Sequence, residues 1–330
     1  MISENQLKTC FLRQRQSLPL SLKIQMSLRR IRAWHDFYNG NVYVSLGGKD
    51  SHVLLHLVRS IYPDVPAVFV DTGLEYPEVR QLNLETSSCI FIKPKTLFTT
   101  VIEKYGWPVV SKKVSQYLSE IQNPTSKNIN TCKLRLTGVR SDGSFSQMSK
   151  ISNRWQYLRN APFKISNKCC KVMKVTPLRD FTKSSGLMPF VGTLAAESCD
   201  RENAWILHGC NSFDSNNPVS TPLIFWTEQD VLQYIHLNKI PVAACYGELL
   251  QTSDGLKFSG TQRTGCMFCM FGVHYDSSPN RFQLMHSTHP NQWAYCIDHL
   301  GAGKVLDYLK IPYLPGVNGF GQFDLFGGAL

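Results

Sequence analysis

A β-branched apolar run breaks off at two glycines and restarts with helical periodicity. It reads Tyr43-Val44-Ser45-Leu46-Gly47-Gly48-Lys49-Asp50-Ser51, followed by Val53-Leu54-Leu55-His56-Leu57-Val58. Strand, tight glycine turn and helix N-terminus together form an anion site. The glycines let the backbone approach phosphate oxygens, and the unpaired amides and helix dipole favour negative charge. Lys49 adds a point charge. The pattern is not a Walker A loop, which places Ser or Thr directly after the lysine, where this chain has Asp50.

The surrounding chain alternates strands and helices, so the expected fold is α/β. We expect a Rossmann-like parallel sheet with helices on both faces, an N-terminal helical segment and a cysteine-containing C-terminal region. Strands are expected at 41–46, 67–70 and 89–92. The second is a continuous apolar run suited to a buried parallel strand. It ends in Asp71-Thr72-Gly73, which should lie beside the first loop, because ligands of open α/β sheets bind at the carboxyl ends of strands. Asp71 also suits a helix N-cap. Helices are expected over 97–105, 114–121, 151–160 and 231–238, the last capped by Thr227. Val191 to Ser198 reads as strand, turn and helix start, Pro222 to Trp226 as a short strand, and Leu250 to Phe258 as a hairpin. Residues 123–150 have no sustained apolar period and read as an insertion or mobile loop, basic through Lys127, Lys133, Arg135 and Arg140. Residues 1–38 read as a basic helical segment with Leu20, Ile24, Leu28 and Ile31 on one face and Lys23, Arg29, Arg30 and Arg32 around it. The expected division is therefore 1–38, a nucleotide-binding domain over 39–240, and a C-terminal region over 241–330.

The glycine loop resembles the pyrophosphate loop, Ser-Gly-Gly-Lys-Asp-Ser, of the adenine-nucleotide α-hydrolases, with Leu46 in place of the first serine and Ser45 one position early. Asp71-Thr72-Gly73 resembles the branch that contains the adenylylsulfate and phosphoadenylylsulfate (PAPS) reductases. The resemblance implies nucleotide contacts from Ser45, Gly47, Gly48, Lys49, Asp50, Ser51, Asp71, Thr72, Gly73 and Ser198.

Eleven cysteines in a chain of 330 residues, without the apolar core of a signal peptide at its start, point to a reducing, cytoplasmic compartment. No apolar run approaches the roughly 18 residues of a membrane span. Four cysteines stand out, the adjacent pair Cys169 and Cys170 and the Cys-x-x-Cys of Cys266 and Cys269. Such a set serves zinc, an iron–sulfur cluster or a disulfide. Adjacent cysteines suit a cubane better than a zinc ribbon, because four corner irons spread the thiolates. The segment Cys169-Cys170-Lys171…Lys174-Val175-Thr176-Pro177-Leu178 resembles the iron–sulfur adenylylsulfate reductases, as do the stretch from Pro222 to Pro241 and Thr264-Gly265-Cys266-x-x-Cys269. That resemblance implies a 4Fe-4S cluster on Cys169, Cys170, Cys266 and Cys269, its charge balanced by Lys171 and Lys174. His274 is a possible extra ligand.

The resemblance also has gaps. The family's substrate motif is matched by Gly192, Glu197, Ser198 and Arg201, but Leu194 and Ala195 stand where it has arginines. No cysteine follows Cys296, and the tail Phe323 to Gly328 has no thiol to act with. The expected function is therefore an ATP pyrophosphatase of sulfur transfer, similar to the components of DNA phosphorothioation systems. Lys49, Asp50, Glu197 and Arg201 would carry the chemistry on ATP. Mg²⁺ would bind Asp50 or Asp71, and a sulfur donor such as a cysteine desulfurase would complete the transfer. The net charge of +11 and pI near 9.1 favour a nucleic-acid partner, DNA first. An oligomer is possible. The alternatives are a sulfonucleotide reductase using Cys132 or Cys296 as a displaced nucleophile, and a non-catalytic nucleotide-binding module.

Overall fold

The computed structural model describes residues 4–317, so the tail segment Phe323 to Gly328 lies outside the described residues. Two helices open the chain, α1 (Glu4–Gln16) and α2 (Leu20–Phe37). Then β1 (Val42–Leu46), α3 (Lys49–Arg59), β2 (Ala67–Val70), α4 (Pro77–Glu85) and β3 (Cys89–Ile92) alternate. Next come α5 (Phe98–Tyr105), β4 (Val109–Val110), α6 (Lys112–Gln122), α7 (Ile129–Thr137) and the short α8 (Lys168–Cys170). They are followed by α9 (Thr176–Ser185), β5 (Met188–Val191), α10 (Cys199–His208), β6 (Asn211–Ser212), β7 (Val219–Ser220) and α11 (Glu228–Asn238). The hairpin strands β8 (Leu249–Thr252) and β9 (Gly255–Phe258), β10 (Met270–Phe271), α12 (Arg281–Thr288), α13 (Pro290–Ala294) and α14 (Ala302–Tyr308) complete it.

The chain divides into two compact units that interleave in sequence. The first takes the stretch up to Pro94 and Thr176–Gly265; the second takes Lys95–Val175 and the stretch from Cys266 onward. This partition cuts across the boundaries expected at residues 38 and 240.

The first unit holds a six-stranded sheet in the order β3-β2-β1-β5-β7-β6. Every pairing is parallel except β6 with β7 at the edge. The expected parallel α/β sheet is therefore present. The β2 strand is buried along its whole length, as its unbroken apolar sequence requires. Chain direction across the sheet reverses at β1, since β2 lies on one side of it and β5 on the other. The carboxyl end of β1 is thus the topological switch point, where open α/β sheets bind ligands.

Four expectations change. Residues 123–150 are not structureless. They contain α7, which ends on Gly138 in the left-handed conformation, and a bridge between Val139 and Phe145. That helix docks through buried Cys132 and an Arg135–Glu120 ion pair of 2.9 Å, contacts that a polar composition hides. Residues Pro222 to Trp226 form successive turns rather than a strand, with Ile224 and Trp226 amides bonded to the Thr221 and Leu223 carbonyls. Lys23 is not on a solvated face. It is buried, with its ammonium 2.6 Å from the Asp230 carboxylate. Residues 153–160 adopt a 3₁₀ rather than an α-helix.

The second unit has its own core, including Val101, Val109, Leu118, Leu158, Met270, Phe282 and Leu306. Its β4 and β10 pair in parallel. Among the described residues no helix is long and apolar enough to cross a membrane.

Candidate functional site

Gly47 and Gly48 close the end of β1, and α3 starts at Lys49 with Gly48 as its N-cap. The turn is drawn tight by Ser51, whose hydroxyl accepts from the Gly47 amide at 2.8 Å and donates to the Gly48 carbonyl at 2.6 Å. A Cβ on Gly48 would sit 2.5 Å from Thr264 Oγ1 and 2.6 Å from the Tyr246 hydroxyl. Gly192, just past β5, is equally constrained: its Cβ would lie 2.9 Å from the Asp50 carbonyl oxygen and from Ser51 Cα, which are backbone atoms unable to yield. The expected loop and the expected substrate segment therefore meet. Leu46 is buried in the core, and Ser45 lies within β1, paired with Val68 and Val191.

Around this loop the charges alternate. The Lys49 ammonium is buried, 3.2 Å from Glu228, 3.7 Å from Asp50 and 3.4 Å from the Gln262 carbonyl oxygen. Burial alone would lower its pKa, but the Asp50 and Glu228 carboxylates more than offset this and hold Lys49 protonated above its usual range. Burial raises the Asp50 pKa; Lys49 and Arg201 oppose the rise and Glu228 adds to it. Asp50 Oδ1 is buried and has no hydrogen-bond partner. Arg201, in the first turn of α10, forms an ion pair with Glu197. Glu197 also accepts from the Leu194 amide at 3.1 Å. Burial lowers the Arg201 pKa, as does the positive charge of Arg263, while Asp50 raises it. Ser198 caps α10, accepting from the Arg201 amide.

Asp71 follows β2 and is not a helix N-cap, a position held by Tyr76 for α4. Its buried carboxylate accepts from Arg80 at 3.0 Å. The Thr72 amide and hydroxyl donate to Glu75, and Gly73 turns with φ +74°. Residues that sequence reasoning missed include Tyr246, Gln262 and Arg263, which flank the hairpin far along the chain; Thr264 enters that reasoning only as part of the Cys266 motif. For Gln262 and Arg263 the only local signal is proximity in sequence to Cys266; Tyr246 has none. His52 and Asn83 were also missed. Both are buried, and Asn83 reaches toward the Gly47 carbonyl oxygen at 3.5 Å. Burial presses the His52 pKa down to about 4, so its ring is neutral near pH 7.

The four singled-out cysteines all lie in the second unit. Cys169 and Cys170 sit in α8, which runs directly into a π-helical turn, Lys171–Val175. Cys266 and Cys269 form a turn, with the Cys269 amide bonded to the Cys266 carbonyl at 3.1 Å, immediately before β10. The Cys169 pKa is pushed up by burial and then by Cys266, Cys170 and Cys269, with Lys174 opposing. Burial likewise raises Cys269, and Lys174 and Arg281 pull it back. Arg281 fixes this turn from α12, donating to the Cys269 and Phe271 carbonyls at 3.3 and 3.1 Å and to both Asp276 oxygens. His274 packs against Trp155 and Tyr275. All eleven cysteines are thiols rather than disulfides. Among the described residues no three His, Cys, Asp or Glu side chains close on a single metal ion. Cys266, Cys170 and Cys269 are all near enough to oppose the ionisation of Cys169, and thiol sulfur is the donor that an iron–sulfur cluster takes, so the chemistry of this set fits such a cluster.

The candidate nucleophiles behave differently. Cys132 is buried with its thiol 3.2 Å from the Glu120 carbonyl oxygen. Cys296 is wholly buried, which pushes its pKa up to about 12. Cys10 and Cys199 are exposed.

Residues 40–150 and 97–270 match the family described as the phosphoadenosine phosphosulfate reductase domain. An adenosine 5'-phosphosulfate reductase of Staphylococcus epidermidis is 25% identical over 250 residues, 76% of this chain and 77% of that protein. Another from a Geobacillus species is 26% identical over 212 residues, 63% of this chain and 68% of that protein. Among solved structures, a PAPS reductase from Candida auris in a phosphate complex covers 69% of this chain and 91% of its own, with 15% identity and a TM-score of 0.38. The family match spans most of the sequence, including the glycine loop and all four clustered cysteines: the chain belongs to the phosphoadenosine phosphosulfate reductase domain family.

Proposed function

We propose that this chain binds a sulfonucleotide, adenylylsulfate or PAPS, and releases sulfite from it. The observation that carries the reading is the Gly47–Ser51 loop at the switch point of the sheet, in a chain of this family. The relatives named as adenosine 5'-phosphosulfate reductases favour the same substrate class. In this reading phosphate oxygens take the loop amides and the Lys49 charge. Arg201, oriented by Glu197, and Arg263 hold the sulfonate oxygens. Asp71, Thr72 and Gly73 flank the nucleoside.

Reduction needs a thiol, and burial disqualifies Cys132 and Cys296. Cys199 is exposed and opens α10 two residues before Arg201. Its sulfur bonds to the sulfonate sulfur while the S–O bond to the nucleotide breaks, and the nucleotide leaves with that electron pair, as AMP from adenylylsulfate or adenosine 3',5'-bisphosphate from PAPS. An external dithiol then attacks the Cys199 sulfur, releases sulfite and is itself oxidised to a disulfide. Cys169, Cys170, Cys266 and Cys269 hold the 4Fe-4S cluster, which when bound supplies a polarising, redox-active centre. A reducing, cytoplasmic setting accords with eleven unbridged thiols.

A second reading, an ATP pyrophosphatase of sulfur transfer, is favoured by the burial of Cys132 and Cys296. There an acceptor oxygen attacks the α-phosphorus and pyrophosphate leaves, and sulfur from a donor such as a cysteine desulfurase then displaces the activated oxygen, which departs with AMP; Asp50 or Asp71 would hold a Mg²⁺ that neutralises the pyrophosphate. The acceptor is nucleic acid, DNA first, met by exposed Lys127, Lys133 and Arg140.

Anaerobically purified protein separates the two readings. Adenylylsulfate with a dithiol should yield equal sulfite and AMP, and Cys199→Ser should abolish sulfite while retaining nucleotide binding. AMP from α-labelled ATP, dependent on DNA and without sulfite from adenylylsulfate, would establish the second reading instead.

A further inference from the structure

The amide of Lys49 opens α3 and is the N–H at which the helix dipole and the unpaired backbone donors converge. It already has an acceptor: the Tyr246 hydroxyl, at 3.0 Å. That hydroxyl is in turn 2.6 Å from Thr264 Oγ1, and both oxygens press on the face of Gly48 that lacks a side chain. The Lys49 ammonium is engaged as well, 3.2 Å from the Glu228 carboxylate and 5.7 Å from the centre of the Tyr246 ring. A hydroxyl oxygen therefore stands on the loop's leading amide, and a carboxylate stands on its lysine.

We infer that Tyr246 and Glu228 hold the place of an anion on the phosphate loop, and that the phosphates of an incoming nucleotide displace both. The inference rests on the reading of Gly47–Ser51 as the phosphate site. Tyr246 is a competitor for the amide in this scheme. It is 2% exposed and packs on Phe258 at 5.0 Å beside a 3₁₀ turn at Ala244–Tyr246, so a phosphate takes the amide only as the Tyr246 ring turns out of that packing. A phosphate oxygen accepts a charge-assisted bond from the Lys49 amide, about twice as strong as the neutral bond that the amide donates to the hydroxyl. The exchange favours the anion at the amide. At the ammonium it meets competition from Glu228, which is half-exposed and free to swing toward solvent. The loop thus selects ligands whose charge outweighs one carboxylate, such as a phosphoanhydride, over weakly charged ones.

The test uses inorganic pyrophosphate and calorimetry on the full chain. Tyr246→Phe removes the competing oxygen and leaves the Lys49 amide without an acceptor; Glu228→Gln removes the competing charge. Each should bind pyrophosphate at least threefold more tightly than the unaltered protein. A merely structural lesion loosens binding, so tightening is not its signature. Unchanged or weaker binding by both variants overturns the inference. Glu228→Gln keeps the test decisive should Tyr246→Phe fold poorly, because its site is at the surface. If the unaltered protein binds neither pyrophosphate nor adenylylsulfate, the phosphate-site reading falls and the inference with it. Equal binding by all three proteins removes only the inference.

Discussion

His52 shows how much one buried side chain beside the loop contributes. It follows Ser51, is 6% exposed, and its pKa falls to about 4 through burial, with Asn83 opposing. In the unfolded chain the same ring titrates near its ordinary value of about 6.5. Between those two values the unfolded state binds the extra proton, so acidification stabilises the unfolded chain relative to the folded one. Stability from this residue is fully present above about pH 6.5 and drains away toward pH 4. At pH 5 the loss is about 2 kcal/mol relative to pH 7.5. Urea unfolding at both pH values, compared between the unaltered protein and His52→Gln, isolates the effect because other titrations cancel. The variant should lose about 2 kcal/mol less on acidification. An identical pH response in the two proteins would show that His52 is protonated or accessible in the folded state.

At the scale of elements, the buried seam of α2 explains a stability centre that periodicity alone did not reveal. The apolar positions Leu20, Ile24 and Leu28 are only partly buried, while Lys23, Ser27, Ile31 and Trp34 face inward. Two of those four are polar, and a hydrophobic template assigns them to solvent. Each has a specific partner: Lys23 takes Asp230 and the Gln16 carbonyl, and Ser27 bridges the Pro222 carbonyl and the Trp226 indole. Asp230 is itself the third residue of the Thr227 capping box on α11. Replacing Lys23 with Met strands that carboxylate in the interior, and unfolding free energy should fall by about 3–5 kcal/mol. Chemical denaturation reads this directly; a loss under about 1 kcal/mol would mean that water reaches the site. The same limit of local pattern explains Pro222 to Trp226. All of Leu223 to Trp226 are buried, and a short apolar run does not distinguish a strand from packed turns. By contrast β2, the β8–β9 hairpin and α11 were legible, because their signals (continuous apolar run, Ser-Asp-Gly turn, capping box) are local.

Across the whole molecule, both candidate sites draw residues from distant stretches, and that decided what the sequence could reveal. The glycine loop and the Cys-x-x-Cys are compact motifs, each readable as a local pattern. Tyr246 and Thr264 reach the loop only through tertiary folding, and no spacing rule connects them to Gly48. The cysteine set is likewise split between α8 and the turn before β10, so it exists only when the second unit is folded. A group bound by all four thiols therefore stabilises the folded state over the unfolded one, and its binding free energy adds to folding. The elevated Cys169 pKa has the same origin: without a metal, the thiols and their burial oppose thiolate formation. Protein purified with iron and sulfide should melt several degrees higher than protein stripped by a chelator. It should also show the visible absorption of iron–sulfide charge transfer. Cys170→Ser and Cys269→Ser should each erase both the absorption and the melting difference, whereas Cys132→Ser should leave the absorption in place. Equal melting of loaded and stripped protein would place any bound iron elsewhere and remove the cluster from this set of four cysteines.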